Sequence, residues 1–207
     1  MSNYIEILNN SGKTIVNSTW HNLSLSRKFT FSGNVAYDVD LSPHEILAIQ
    51  ISSNNMWACV DRDESGASIV MDGNPQKSEV CNPASTLTCT AYVFGENKGS
   101  SNCGLEIYND SGEQIFSSAL KYMKPIDCIN LNQGDEKQYS VPIAIACGAP
   151  WTEDYNGDVF DHSGYVMENT STVKCIDLGG TIDDEDMKYP AGSFGDCSIL
   201  VIDVTNL

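Results

Sequence analysis

No stretch of this chain approaches the roughly eighteen consecutive apolar residues of a membrane-spanning helix, and no charged-then-apolar leader opens it. The expectation is a protein made in a reducing cytoplasm and starting at or near Met1, with no membrane span. Basic residues are scarce: 11 Lys and Arg face 28 Asp and Glu, for a net charge of −17. Such a surface repels nucleic acid and anionic membrane, so DNA and RNA drop out as partners. The eight cysteines include no Cys-x-x-Cys and no neighbouring Cys/His pair, which removes the familiar zinc patterns. There is no Gly-x-Ser-x-Gly, no phosphate-cradling glycine loop and no His-Glu-x-x-His. His21, His44 and His162 sit in polar, turn-like contexts without an acid and a nucleophile beside them. Acids are abundant, but no motif selects a pair for glycoside hydrolysis. The expectation is a non-enzymatic protein without cofactor.

Helical patterning is also missing. The apolar runs are short and broken by Gly, Asn, Asp, Ser and Pro, as in an all-β sandwich or barrel. Asp40 to Glu45 looks like a helix start, but the following residues alternate with period two, so it is read as a turn into a strand.

What is present is a repeat. Tyr4 to Ser18 (YIEILNNSGKTIVNS) returns without a gap as Gly104 to Ser118 (GLEIYNDSGEQIFSS). Seven of the fifteen positions are identical: Glu6/Glu106, Ile7/Ile107, Asn9/Asn109, Ser11/Ser111, Gly12/Gly112, Ile15/Ile115 and Ser18/Ser118. Unrelated stretches would share about one. Each copy spells a β-hairpin. Apolar residues alternate around Glu6 and Glu106, and Asn-x-Ser-Gly then supplies a type I turn closed by a glycine bulge. The return strands carry Ile15-Val16 and Ile115-Phe116.

Weaker similarities follow. Leu47, Ile49 and Ile51 alternate in one half, and Val141, Ile143 and Ile145 in the other; CTAYVF from Cys89 and CSILVIDV from Cys197 sit near the two ends. Aligning Cys89 with Cys197 stretches the offset from 100 to 108, which places inserted residues between Trp151 and Ala191. The expected organisation is two tandem small antiparallel β-sandwich or barrel modules with little helix. Module one covers 1–97, a Gly/Ser-rich linker 98–102, and module two, with an acidic loop insert, 103–207. Residues 1–100 carry −4 and residues 101–207 carry −13.

Candidate sites gather in that insert. Asp154, Asn156, Asp158 and Asp161 place oxygen-bearing side chains as an irregular calcium site would, although an EF-hand loop needs Gly where Val159 stands and an acid where Tyr165 stands. The run Asp183 to Asp186 reads as a solvated acidic loop. Flat rings suited to stacking on sugars occur at Trp20, Trp57, Trp151, Tyr155 and Tyr165, with Trp151 and Tyr155 the chosen ligand candidates; core packing is the competing use. Cysteines in apolar strand contexts, such as Cys59 and Cys147, are expected as buried free thiols, with a disulfide formed outside the cell as the alternative.

The segment Gly104 to Ser118 resembles the opening of small tail-associated proteins of tailed bacteriophages, of the form Gly-Leu-x-Ile-x-Asn-x-x-Gly-x-x-x-Phe-x-Ser. Tyr4 to Ser18 fits with Tyr4 for Gly and Val16 for Phe, and the presence of two copies is a departure from that pattern. The resemblance implies an all-β virion protein of the tail tip or fibre attachment, assembled in the host cytoplasm. It would bind other virion structural proteins, in a ring or trimer, without enzymatic activity. A capsid decoration protein and a carbohydrate-binding module for a host-surface glycan are the alternatives. Of the two modules, the less charged first is expected to dock and the second to face outward.

Overall fold

The computed structural model describes residues 6–8, 10, 12, 14–17, 22–32, 36–51, 56–63, 66–72, 88–100, 102–132, 134–147, 151–156, 159–182 and 198–207. Among them there is no helix, and every strand pairing is antiparallel, as an all-β fold requires. The first half supplies β1 (Glu6–Leu8), β2 (Thr14–Asn17), β3 (Ser24–Ser32), β4 (Ala36–Val39), β5 (Ile46–Ile51), β6 (Met56–Asp63), β7 (Gly66–Asp72) and β8 (Thr88–Gly95). The second supplies β9 (Glu106–Tyr108), β10 (Gln114–Ser117), β11 (Pro125–Ile129), β12 (Glu136–Gln138), β13 (Ile143–Cys147), β14 (Trp151–Asn156), β15 (Val159–Asn169), β16 (Thr172–Ile182) and β17 (Ile199–Asp203). The turn expected ahead of β5 is there, with the Glu45 amide donating to the Ser42 carbonyl at 3.0 Å.

Both copies of the repeated segment form the expected hairpin over the same positions: β1 with β2, and β9 with β10. The register slips once in each, and the glycine closing each turn lies in the left-handed region, Gly12 at φ 77° and Gly112 at φ 79°. In the second copy the Gly112 amide donates to the Asn109 carbonyl at 2.9 Å, closing the turn. The Asn109 side-chain oxygen accepts from the amides of Ser111 and Glu113. A side chain that bonds its own downstream backbone is what Asn109 contributes to this turn.

The remaining strands form two larger sheets, and each draws on both halves. One runs β11-β17-β13-β5-β8-β3; the other runs β12-β16-β15-β6-β7-β4, with β14 added beside β15. Both orders read the same from either edge. If strands are counted after the hairpin and β14 is set aside, the first sheet is first-sixth-third, third-sixth-first. The second is second-fifth-fourth, fourth-fifth-second. At the centre Ile49 of β5 pairs with Ile145 of β13, and Met56 and Trp57 of β6 pair with Met167 and Val166 of β15.

Each half was expected to close on its own core. Instead, buried residues from both sides of 98–102 form one cluster between the sheets: Leu47, Ile49, Ala91 and Val93 with Ile143, Ile145, Ile199 and Val201, facing Tyr165, Met167, Val173 and Cys175. The six-stranded sheet is apolar on its other face too. Ala48, Tyr92, Phe94, Ala144 and Ile202 make a second cluster, covered by Leu23, Leu25 and Met123. The segment leading into β11 is bonded to the start of β3, at the opposite edge of the sheet, with Ser24 and Tyr122 forming an isolated antiparallel bridge. The Leu25 amide donates to the Lys121 carbonyl at 2.8 Å, and the Met123 amide donates to the Leu23 carbonyl at 2.9 Å. Burial on both faces explains why β8 and β17 read as continuous apolar runs rather than alternating ones.

The insert placed between Trp151 and Ala191 is not a loop up to residue 182. It consists of β14 and of two strands, β15 and β16, that outrun their first-half counterparts. β14 is paired residue for residue with β15 from Trp151↔Gly164 to Asn156↔Val159, as an extended ribbon requires. The run Asp183 to Asp186 lies outside the described residues.

At one margin of the sandwich an ionic clamp joins the sheets. The Lys137 ammonium lies 2.7 Å from Asp127, and the Tyr139 hydroxyl donates to the same carboxylate at 2.9 Å. Lys137 first, then Tyr139, hold the Asp127 carboxyl below its ordinary range. A depressed folded-state value stabilises the protein above the unfolded value, near 4, and that stabilisation is lost as pH falls through the folded value. Because Lys137 is 45% exposed, the clamp contributes at most ~1 kcal/mol. Asp127→Asn is expected to lower stability by that much at neutral pH in urea titrations, and the gap from wild type should close below about pH 4.

Candidate functional site

The second hairpin has a rigid root and an exposed outer surface. Phe116 stacks on Tyr122, with centroids 4.9 Å apart and planes 10° from parallel, and the Ser117 amide donates to the Tyr122 hydroxyl at 2.6 Å. The segment entering it is fixed as well. The Asn97 amide group donates to the Ser24 carbonyl and to the Ser24 and Ser26 hydroxyls, and the Gly99 amide donates to the Gln114 side chain at 2.8 Å. Ile107 and Ile115 are buried. Leu105 and Tyr108, by contrast, are each 51% exposed. The Tyr108 hydroxyl donates to Glu106 at 2.6 Å, which raises its pKa. Glu106, Asp110 and Glu113 surround this surface, with no Lys or Arg between Ser101 and Leu120.

The first hairpin repeats the pattern at its matching position. Leu8, one hundred residues before Tyr108, is 50% exposed. Of the four exposed large hydrophobic residues among the described ones, three lie on the two hairpins, and only Ile126 does not. A surface that exposes apolar groups at one repeated position suits contact with another protein.

The insert candidates separate by register. On the β14–β15 ribbon, Trp151 pairs with Gly164, Glu153 with His162 and Tyr155 with Phe160; these positions share one face. Asp154 pairs with Asp161, and Asn156 lies two residues further along, so three calcium candidates share the other face. Asp158 lies outside the described residues. Among the described residues no group of three or more His, Cys, Asp or Glu is placed to hold a metal ion.

Other candidates fall into the body of the fold. Tyr165 is a core residue whose hydroxyl accepts from the Leu131 amide at 2.8 Å, so packing accounts for it. Trp20 and His21 lie outside the described residues. His44 stands exposed in the turn before β5. Cys89 and Cys175 are buried free thiols; burial raises the Cys89 pKa to about 12, and burial followed by Asp135 raises that of Cys175. Cys103 and Cys128 are exposed. Arg27 and Lys28, the basic pair after the first hairpin, serve internal contacts. Arg27 bonds the Asp40 carbonyl at 2.6 Å and Glu45 at 3.1 Å, and Lys28 bonds the Leu207 carbonyl at 2.9 Å. Sequence reasoning did not single out Leu8, Leu105 or Tyr108. For Leu8 and Tyr108 the signal was available, because each stands where an outward-facing strand position would ordinarily be polar; Leu105 alternates in phase with buried Ile107, so the sequence assigns it to the apolar face.

Compared with protein-family models, with curated proteins and with solved structures, the chain matches none.

Proposed function

We propose that this chain is a non-enzymatic structural protein of a phage virion, placed at the tail tip or fibre attachment, and that it acts by docking to other virion proteins. The observation that carries this reading is the repeated hairpin. It stands outside both large sheets in each half and exposes an apolar side chain at the same position, Leu8 or Tyr108. The phage-tail resemblance lies in that same segment. Two such elements on one chain suit an adaptor between repeated neighbours in a ring or trimer. The acidic rim of the second hairpin favours a basic surface on the docking partner.

The test is particle composition. Leu8→Asp and Tyr108→Asp place a charge in the centre of each contact, where charge is depleted in interfaces. Each single variant is expected to reduce incorporation into purified particles by at least roughly tenfold, the equivalent of about 1.4 kcal/mol in binding, while remaining folded by circular dichroism. Full incorporation of the double variant would remove the hairpins as the docking elements. Copy number then separates locations: a few to tens per particle accords with the tail, whereas hundreds would point to capsid decoration.

A further inference from the structure

The seven-stranded sheet brings together aromatic residues that lie almost a hundred positions apart. Along one edge of β15, Tyr155 pairs with Phe160, Trp151 with Gly164, and Trp57, arriving from the first half on β6, with Val166. Tyr165 and Met167 are buried in the core between the sheets. Alternation therefore assigns positions 160, 162, 164 and 166, with their partners, to the opposite face of this sheet. Tyr155, Trp151 and Trp57 thus occupy one row on one face. By strand geometry Trp57 and Trp151 are roughly 7 Å apart along the strand direction, and Trp151 and Tyr155 roughly 13 Å. Two glycines adjoin the row: Gly164 opposite Trp151, and Gly179 opposite His162. Glycine at these two positions adds no side chain beside the row.

From this placement we infer that the outer face of the β14–β15–β6 region binds a neutral glycan chain laid along β15, with Trp57, Trp151 and Tyr155 as successive stacking positions. The C–H face of a pyranose ring packs on an aromatic ring through burial of apolar area and attraction to the ring's negative face. A row of rings suits a linear polymer of such units. Glu153 and His162, paired between Trp151 and Tyr155, supply hydrogen-bonding groups within the row. Charge selects among glycans. The half containing this ribbon carries −13, so phosphate-, sulfate- or sialate-bearing chains are repelled and neutral hexose or N-acetylhexosamine chains are admitted. The inference does not depend on the virion assignment, because it concerns a different face from the hairpins and is tested on the purified full-length chain.

The experiment is affinity electrophoresis in gels carrying soluble mannan, laminarin, glycol chitin or, as the anionic comparison, heparin, followed by calorimetry with chitohexaose, mannohexaose and laminarihexaose. Retardation by at least one neutral polymer and none by heparin is expected. Trp57→Ala, Trp151→Ala and Tyr155→Ala should each weaken binding roughly tenfold, while Tyr108→Ala on the hairpin should leave it unchanged. Trp57→Phe, which keeps a ring, should retain most binding if Trp57→Ala disturbs the fold. Absence of binding to every neutral polymer, binding only to heparin, or neutral binding that survives the triple substitution would each overturn the site. Retardation of the wild type, but not of the tryptophan variants, by an immobilised protein, with no retardation by any glycan, would assign the row to protein docking and likewise overturn it.

Discussion

Ile145→Ala is expected to lower the stability of the whole chain by about 3–4 kcal/mol, within the range for truncating a fully buried isoleucine. Ile145 has no exposed surface, sits in the cluster between the two large sheets and pairs with Ile49 at the junction of the halves. A domain typically has only about 5–15 kcal/mol in total, so the effect should be plain in any urea titration. The form of the transition matters as much as its midpoint. Because the cluster is shared, one cooperative unfolding step should move as a unit. If each half folded alone, the substitution would leave a first-half transition untouched. Ile49→Ala should behave alike, and the double variant should cost measurably less than the two single losses combined, since the residues share one contact. Ile126→Ala, at 45% exposure, serves as the control and should change stability by no more than about 0.5 kcal/mol.

A polypeptide ending at Gly99 gives the second large effect. It would retain β3, β5 and β8 but lose β13, leaving Leu47, Ile49, Ala91 and Val93 without the second-half residues that complete their cluster. It would also expose the central edge of β5, a row of unpaired backbone groups next to an apolar face. The palindromic strand order suggests what covers that edge. In the full chain β5 pairs antiparallel with its own counterpart, so a second copy of the fragment can offer its β5 in place of β13. The expected product is a homodimer, measured as twice the fragment mass by sedimentation equilibrium and dissociating with loss of structure on dilution. A folded, dilution-resistant monomer would show that the first half closes its own core after all. This is also why deletion of either half cannot decide which one docks: both sheets lose strands together, whereas point substitutions on the hairpins leave them intact.

How far the sequence could be read follows from how local each determinant is. The hairpins were legible because a turn is decided within a few residues. Asn109 bonds two amides just downstream, and Gly112 takes a positive φ that other residues avoid. The strands β5, β8, β13 and β17 were legible from their apolar character. Their partnership across the middle of the chain was not, since a repeat reads most simply as two closed units and strand pairing is non-local. One sign did point to it. In β8, Cys89, Ala91 and Val93 face one cluster while Tyr92 and Phe94 face the other, and a small self-contained sandwich would have left one of those faces wet. The insert was misread for a related reason. Asp154, Asp158 and Asp161 suggested a loop by composition, and WTEDYN has no apolar/polar alternation to counter that reading; what makes Trp151–Asn156 a strand is its pairing with β15. The aromatic row required register as well as identity: Trp57 falls in line with Trp151 only because β6 and β14 follow one another along the same edge of β15.

The most direct measurement is a reconstruction of the intact particle with this chain marked by a small fusion or a bound antibody fragment. The proposal predicts density at the tail tip or fibre base, in a ring or trimer, with both hairpins against neighbouring chains. Density on the capsid lattice, or particles that lack the protein altogether, would contradict it.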